Sequence, residues 1–382
     1  MSTIKQGNAI DILRSFEDET FDCCVTSPPY WGLRDYGTSE WVGGSYEECT
    51  HKQAKERSRY DRKLTEGSRH AEIAKTTQGT DGARWKETCP SCGAKKVDLQ
   101  LGLEKTPEEY VAKMVEVFRE VRRVLKKDGT LWLNLGDSYA NNKDGNTQGT
   151  STSGLNYTNP KKDLEGFRNE QKFSKKVPPG LKQKDLVGIP WRVAFALQAD
   201  GWYLRQDIIW AKPNPMPESV TDRCTKAHEY VFLLSKSQKY YFDNEAIKEV
   251  AVSGTDLGIL RNASEDNTKM VSGAKTKTVK DRIAQGVKST EGNQSGKRNK
   301  RSVWTVTTKP FKDAHFATFP EDLIIPMIKA GCRPGGTVLD PFFGAGTTGV
   351  VAEKLGRTCV GIELNGEYIK IAEKRLSQQR LL

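Results

Sequence analysis

A glycine-rich turn near the carboxyl end of the chain constrains the fold most strongly. The segment "TVLDPFFGAGTTGVVAEKLGRTCVGIEL" carries a Gly-x-Gly-x-x-Gly pattern after a short apolar run, and a helical pattern begins at Thr347. A second apolar run follows and ends at Glu363. This succession predicts a βαβ unit that binds a nucleoside, with the glutamate accepting hydrogen bonds from ribose hydroxyls. The alternative for Glu363 is an exposed acid at the start of the last helix.

The place of this unit in the chain limits the architecture further. Dinucleotide-binding domains need several more β-α units after the glycine turn, but the chain ends at Leu382, shortly after Glu363. The other strands must therefore come from earlier in the sequence. This order predicts an α/β fold with a mostly parallel, Rossmann-like sheet whose strands are circularly permuted.

Elements of such a fold can be recognised upstream. Thr106 to Glu109 form a capping box with Pro107 at the first helical position, which predicts a long helix that ends at Gly129. The apolar face predicted for this helix consists of Val111, Met114, Val115, Phe118, Val121, Val124 and Leu125. An apolar run of strand length, "TLWLNL", comes next.

Other apolar runs complete the predicted sheet. They indicate strands at residues 21–25, from Trp202 and from Glu229, and a helix over residues 186–198. The segments between them are long and polar, which is typical of insertions into a folded domain.

Charge and cysteine usage limit the environment and the partners. The net charge of +11 predicts a polyanionic partner, with nucleic acid favoured over a membrane surface. No long apolar run or signal-peptide core is present, so we expect a soluble, cytoplasmic protein of a bacterial or phage-infected cell. In that reducing environment four cysteines are expected to be core thiols rather than disulfides: Cys23, Cys24, Cys332 and Cys359.

Two consecutive prolines interrupt the chain directly after its first apolar run. In "TSPPYWGLRDYG", Pro28 and Pro29 fix the backbone and donate no hydrogen bonds, so the strand must stop in a stiff loop. One interpretation is a rigid turn. The other is a preset pocket wall, in which the ring of Tyr30 is ready to stack on a flat ligand.

These two motifs together give the sequence a family resemblance. With Ser-Pro-Pro-Tyr near one end and "DPFFGAGTTG" near the other, it resembles the permuted β-type amino-group DNA methyltransferases, which use S-adenosylmethionine. The segments "WAKPNPMPES", "HEYVFLLSKS" and "FATFPEDLI" extend the resemblance. It implies a sheet of the seven-strand type and methyl transfer to an exocyclic amino group of cytosine or adenine in double-stranded DNA, with the target base flipped out of the helix.

The resemblance also implies roles for individual residues. The catalytic set is Ser27, Pro28, Pro29 and Tyr30: the amino N–H groups would bond to the Ser27 hydroxyl and the Pro28 carbonyl, and Tyr30 would stack on the base. The residues implied to contact the cofactor are Phe316, Thr318, Asp340, Pro341, Phe342, Gly344, Gly346, Thr347, Thr348 and Glu363.

A division into domains follows from the same resemblance. Residues 1–37, 101–139 and 186–250 are predicted to form the catalytic part and residues 304–382 the cofactor-binding part; residues 38–100 and 140–185 are predicted insertions, the second flexible, and residues 251–303 a basic DNA-recognition segment. Lys212, Asn214 and Ser219 resemble the family's loop that faces the target base.

The identity of the methylated base rests on one residue. Serine before the two prolines resembles the N4-cytosine branch, whereas N6-adenine enzymes more often carry Asp or Asn there. Methylation at C5 of cytosine needs a Pro-Cys nucleophile, which the chain lacks. Protein-glutamine methyltransferases share the x-Pro-Pro-Tyr loop but place the glycine turn first in the chain.

The first insertion contains a pattern typical of metal ligands. Cys49-x-His51 and Cys89-x-x-Cys92 offer three thiolates and an imidazole, which suit a tetrahedral structural zinc ion. The alternative is two unrelated thiol pairs.

A zinc-containing DNA-binding protein without catalysis is the competing function from another class. Candidate partners besides DNA are a second copy of the chain and a cognate restriction endonuclease.

Overall fold

A computed structural model describes residues 2–32, 38–45, 49, 88–89, 92–140, 177–250, 297–309 and 318–380. Its centre is one eight-stranded sheet. The strands of this sheet are β1 (Thr3–Gln6), β2 (Phe21–Thr26), β5 (Leu125–Leu135), β6 (Tyr203–Ala211), β7 (His228–Ser235), β10 (Val303–Thr305), β11 (Thr337–Asp340) and β12 (Thr358–Glu363). They are arranged in the order β1-β12-β11-β2-β5-β7-β6-β10.

The sheet is parallel except for one strand. β7 pairs antiparallel with both of its neighbours, β5 and β6, while every other pairing is parallel. The carboxyl ends of seven strands and the amino end of β7 therefore lie at the same edge. The mostly parallel, Rossmann-like sheet expected from the sequence is confirmed, with β10 as one strand more than the expected seven.

Helices cover both faces of the sheet. Because side chains alternate along a strand, Leu131 and Leu133 face one apolar core and Trp132 faces the other. The first core is closed by α1 (Ala9–Arg14), α2 (Pro107–Val124) and α3 (Ile189–Ala199), and the second by α4 (Glu321–Gly331), α5 (Thr347–Lys354) and α6 (Gly366–Arg380). The result is three layers, as in other α/β folds with a parallel sheet.

Most of the predicted elements are present close to their predicted positions. The Thr106 side chain caps α2 by accepting a hydrogen bond from the backbone N–H of Glu109, at 3.1 Å. The glycine turn lies between β11 and α5, and β12 ends at Glu363 as expected. All four cysteines expected in the core are buried free thiols.

The predicted end of α2 at Gly129 is wrong. The helix ends at Val124, and Leu125 is already extended and paired with Phe21 of β2. Because Leu125 is fully buried, pairing in the sheet stabilises it more than another helical turn would. The apolar face of α2 is also rotated, since it buries Tyr110 and Val117, whereas the predicted Val111 and Val115 are only half-buried.

Two small sheets lie outside this layered domain. β3 (Glu40–Val42) pairs with β4 (Lys95–Val97), and β8 (Glu249–Val250) pairs with β9 (Lys297–Arg298). β3 and β4 lie within residues 38–100, β9 lies within residues 251–303, and β8 directly precedes that second segment. Most residues of these two segments and of residues 140–185 lie outside the described part of the chain. Among the described residues, no helix is long and apolar enough to cross a bilayer.

Candidate active site

One cavity of about 1060 Å³ lies at the edge of the sheet where the parallel strands end. The glycine turn after β11 lines one part of it, and Ser27 to Tyr30, which follow β2, line another. Open α/β sheets bind their ligands at this edge. The fold therefore brings the two sequence motifs together although they lie at opposite ends of the chain.

The nucleoside-binding part of the cavity is built around Glu363. Its carboxylate accepts hydrogen bonds from the backbone N–H groups of Gly344, at 2.7 Å, and Asn365, at 2.8 Å. Each oxygen keeps a further lone pair for a ligand hydroxyl. Burial raises the pKa of Glu363. The interpretation of Glu363 as an exposed helix acid is therefore wrong, because the side chain is held at the base of the cavity.

The glycine turn itself leaves space for a ligand. Gly344 has a φ of +51°, and a Cβ built there would meet nothing within 4 Å. A side chain at this position would be strained and would project into the open space of the cavity. Gly346 differs, since a Cβ there would lie 2.8 Å from the Cβ of Ala372. Gly346 therefore allows α6 to pack closely against the turn.

A buried carboxylate lies beneath the turn. Asp340 accepts hydrogen bonds from the hydroxyls of Thr26, at 2.6 Å, and Thr348, at 2.7 Å, and from the backbone N–H of Phe342, at 3.1 Å. Burial raises the pKa of Asp340 to about 6. Asp340 and Thr348 were predicted to contact the cofactor, but they do not line the cavity. They connect β2, the turn and α5.

The other residues predicted to contact the cofactor differ in position. Gly346 packs against α6 and does not line the cavity, and Phe316 lies outside the described residues. The predicted residues that line the cavity are Thr318, Pro341, Phe342, Gly344, Thr347 and Glu363. These six provide a backbone cradle, an acid and an apolar wall, which suit an adenosine-containing cofactor.

The Ser-Pro-Pro-Tyr loop is held by contacts from behind. The Tyr110 hydroxyl donates to the Pro29 carbonyl at 2.9 Å, and the Gly32 N–H donates to the Gly102 carbonyl at 2.7 Å. Gly136 packs against the Tyr30 ring so closely that a Cβ there would lie 2.5 Å from Cε2. Trp31 does not line the cavity and packs instead against the first core.

Asn134 organises the polar groups of this loop. Its Nδ2 donates to the Tyr230 carbonyl at 3.1 Å and to Glu229 at 3.3 Å, which orients Oδ1 toward the loop. The Ser27 hydroxyl donates to this Oδ1 at 3.3 Å, and the Tyr30 hydroxyl oxygen lies 3.2 Å from the same atom. A serine hydroxyl that donates its proton to Asn134 keeps its lone pairs available as acceptors.

Glu229 and Lys212 complete the network. Glu229 accepts from the Tyr30 hydroxyl at 2.8 Å and pairs with the Lys212 ammonium. Burial and the adjacent Glu229 carboxylate together raise the pKa of Tyr30 well above its usual value, so the phenol stays protonated. Both members of the ion pair line the cavity.

The sequence interpretation did not identify Asn134, Glu229 or Gly136 as site residues. Asn134 was recognisable as a lone polar residue near the carboxyl end of an apolar strand. Glu229 lies at the start of β7, and only the reversed direction of that strand brings it to the cavity. In the proline-rich loop, Lys212 and Asn214 line the cavity as well, whereas Ser219 does not.

The predicted metal ligands are partly brought together. Cys49, Cys89 and Cys92 offer three Sγ atoms that all lie within 4.8 Å of one another. The Cys49 and Cys89 sulfurs are 3.7 Å apart. His51 lies outside the described residues.

Most of the basic recognition segment also lies outside the described residues, including Lys275 and Arg282. At its described end, Arg298 and Arg301 both bind the Glu249 carboxylate, at 2.9 and 2.6 Å. These two arginines therefore stabilise the β8-β9 pair.

Comparisons with known proteins agree with this geometry. Residues 21–374 match the family model for DNA methylases of the N6/N4 type. Over 374 residues the chain is 40% identical to Type II methyltransferase M.SmaI of Serratia marcescens, with 98% of this chain and 90% of the relative covered. It is 39% identical over 375 residues to Type II methyltransferase M.Cfr9I of Citrobacter freundii, with 98% and 87% covered.

The solved structure of a PvuII DNA methyltransferase, described as cytosine-N4-specific, has a similar fold. The TM-score is 0.51 at 16% identity, with 98% of this chain and 86% of that chain covered. The fold and the cavity thus define an α/β methyltransferase. The chain belongs to the N6/N4 DNA methylase family.

The family confirms the central expectations from the sequence. The protein is an amino-group DNA methyltransferase that uses S-adenosylmethionine. The competing function, a DNA-binding protein without catalysis, is thereby wrong. The choice between cytosine N4 and adenine N6, the metal and the roles of single residues stay predictions.

We predict that Asp340 makes the stability of the fold dependent on pH. Its pKa of about 6 in the folded protein exceeds the value of about 4 for an unfolded aspartate. As the pH rises from about 4 to 6, the unfolded chain releases this proton first, so the folded state loses on the order of 1–3 kcal/mol.

Urea unfolding of the wild type and Asp340→Asn at several pH values measures this effect. The difference in unfolding free energy between the two proteins should change between pH 4 and 7. Asp11→Asn, at an exposed position of α1, is the control that should leave the pH dependence unchanged. Parallel curves for wild type and Asp340→Asn would contradict the prediction.

Proposed function

We propose that this methyltransferase modifies the N4 amino group of cytosine within a specific sequence of double-stranded DNA. The observation that carries the proposal is the hydrogen bond from the Ser27 hydroxyl to Asn134 Oδ1, in the same cavity as Glu363 and the glycine turn. It supports Ser27 as an oriented acceptor for the amino group of a base.

The chemistry needs such an acceptor because the amino nitrogen is a weak nucleophile. Its lone pair is delocalised into the ring of the base. Hydrogen bonds from its N–H groups to Ser27 Oγ and the Pro28 carbonyl favour tetrahedral geometry and localise that pair. Since Asn134 and the two prolines hold these oxygens in place, little reorganisation is needed at the transition state.

When bound, the cofactor would supply an electrophilic methyl group on a sulfonium. The amino nitrogen would take the methyl group and release one proton to solvent, and the sulfur would keep the electron pair of the broken S–C bond. Glu363 would hold the ribose hydroxyls, and Gly344 would allow close approach of the backbone. Phe342 and Pro341 line the same part of the cavity and give it an apolar wall. That the residues proposed to hold the cofactor line the same cavity as Ser27 supports direct transfer.

Tyr30 is suited to hold the flipped base. Its ring lines the cavity and is fixed from behind by Gly136, and its hydroxyl is fixed by Glu229. Stacking on an aromatic ring offsets part of the free energy needed to unstack the base. A ring already locked in position loses little conformational entropy when the base arrives.

One feature favours cytosine over adenine: Ser27 is a neutral hydroxyl where adenine enzymes more often have Asp or Asn. Lys212 places a cationic donor beside the loop, paired with Glu229, and this donor suits an acceptor on the edge of either base.

The wider biological role is proposed from the relatives. Both bacterial relatives named above are Type II methyltransferases, which supports sequence-specific modification in the cytoplasm and a cognate restriction endonuclease. A homodimer stays a prediction from the sequence.

Identification of the product tests the proposal directly. DNA is methylated with labelled cofactor, digested to nucleosides and analysed by mass, with a reaction that lacks the enzyme as the background control. We expect N4-methylcytosine. N6-methyladenine would overturn the base assignment, and 5-methylcytosine would overturn attack by an amino nitrogen.

Substitutions at Tyr30 separate stacking from hydrogen bonding. Stacking contributes about 1–3 kcal/mol per base, so Tyr30→Ala should lower kcat/KM for DNA by about 5- to 150-fold. Tyr30→Phe keeps the ring and should retain most of the activity. Cofactor affinity, measured by calorimetry, should stay unchanged in both variants. An equal loss of cofactor binding and methylation in Tyr30→Ala would contradict the stacking role.

Glu363→Gln should weaken cofactor binding before it affects anything else. Hydrogen bonds to a charged group contribute about 1.5–3 kcal/mol, so the Kd for S-adenosylmethionine should rise about 10- to 150-fold. Glu367→Gln is the matched control, because Glu367 lies on α6 at an exposed position. An unchanged Kd in Glu363→Gln would restrict Glu363 to holding the backbone of Gly344 and Asn365.

A further inference from the structure

Few apolar side chains pack around the three-cysteine cluster among the residues that the structure describes. The buried ones are Cys89, Cys92 and Ala94, with Trp41 and Cys49 packed against them. The two strands that carry it, β3 and β4, have three residues each. An isolated two-stranded hairpin of this size is marginally stable without an additional constraint.

The sulfur geometry matches that of a tetrahedral metal site. Zn–S bonds of about 2.3 Å at tetrahedral angles place two sulfurs about 3.8 Å apart, and the Cys49 and Cys89 sulfurs are separated by 3.7 Å. A disulfide would require about 2.05 Å. The third sulfur, of Cys92, lies within 4.8 Å of both. The cluster is therefore spaced for a shared ion.

The backbone around the cluster is shaped for metal ligation. Cys89 and Cys92 lie on a tight turn in which the Gly93 N–H donates to the Cys89 carbonyl at 2.9 Å and Gly93 has a φ of +77°. The Ala94 N–H points at the Cys92 sulfur, at 3.5 Å. Backbone N–H groups directed at thiolate sulfurs orient the ligands and stabilise their charge.

The geometry points to a structural zinc ion held by Cys49, Cys89 and Cys92. His51, which lies outside the described residues, follows Cys49 by two residues in the sequence and is the fourth ligand that the sequence pattern predicts. Three thiolates and one imidazole complete a tetrahedral set and leave no open position for catalysis. The ion fastens β3 to β4 and orders this end of the first insertion.

This ion also supports a wall of the active site. β4 leads directly into Asp98 and Gln100, which line the cavity. Asp98 accepts from the Thr38 hydroxyl at 3.0 Å, so both ends of the insertion meet here. Gly102 then packs against the Tyr30 backbone, where a Cβ would lie 2.9 Å from the Tyr30 carbonyl oxygen. Zinc thus stabilises the segment that holds the catalytic loop from outside.

Metal analysis of the full-length protein tests the site. Protein purified without added metal should contain about one zinc ion per chain. Cys49→Ser, Cys89→Ser, Cys92→Ser and His51→Ala should each lose most of it. Cys224→Ser, at an exposed free thiol, and His70→Ala, in the same insertion, are matched controls that should keep it. Absence of zinc from the wild type, or its retention in a cysteine variant, would overturn the site, and retention in His51→Ala would overturn the ligand set.

Cobalt substitution gives a readout independent of activity. Co²⁺ in the wild-type site should show the visible bands of a tetrahedral thiolate complex, which Cys49→Ser should shift and weaken. An octahedral spectrum would overturn the ligand geometry.

The support of the active-site wall is tested on the same variants. Loss of zinc in Cys89→Ser should expose the first insertion to proteolysis and lower kcat/KM for DNA tenfold or more, because small displacements of catalytic groups reduce rates strongly. Thermal unfolding of the sheet should shift by no more than in Cys224→Ser. Full methylation by zinc-free, folded protein would overturn the coupling between the metal and the wall.

Discussion

The geometry of the site depends on the hydrogen bonds that the buried Asp340 carboxylate accepts. The carboxylate binds Thr26, the residue immediately before the Ser-Pro-Pro-Tyr loop, and Thr348, in the first turn of the helix after the glycine turn. The Ser-Pro-Pro-Tyr loop and the glycine turn come from opposite ends of the chain, and this carboxylate links the strand residue before the loop to the helix after the turn. A rigid connection matters because methyl transfer requires the nitrogen, the methyl carbon and the sulfur to be aligned.

The reversed direction of strand β7 brings Glu229 to the cavity. In a sheet of parallel strands, the residues at the amino ends lie far from the ligand. β7 runs the other way, so Glu229 at its start reaches the same edge as Asn134 near the end of β5. From there it binds Tyr30 and Lys212 directly. The polar network around Ser27 and Tyr30 thus exists because one strand is inverted.

The sequence was sufficient for those parts of the protein that depend on local chemistry. The glycine turn, the capped helix α2, the proline loop and Glu363 each have a conformational or chemical signature within a few residues. Their order along the chain also indicated that the other strands of the sheet precede the glycine turn in the sequence. The family resemblance indicated the reaction. The end of α2 was misjudged, because pairing of Leu125 with Phe21 is a contact between distant segments.

By itself, then, the sequence determined the fold class and the residues that follow two strands, since short-range sterics and spacing decide these, and its family resemblance indicated the cofactor. Only the tertiary structure decided which polar groups meet. It placed Asp340 and Thr348 beneath the turn rather than in the cavity, and it brought Asn134 and Glu229 to Ser27 and Tyr30. Hydrogen bonds between residues that are 107 and 199 positions apart depend on strand order and direction, which no local pattern encodes.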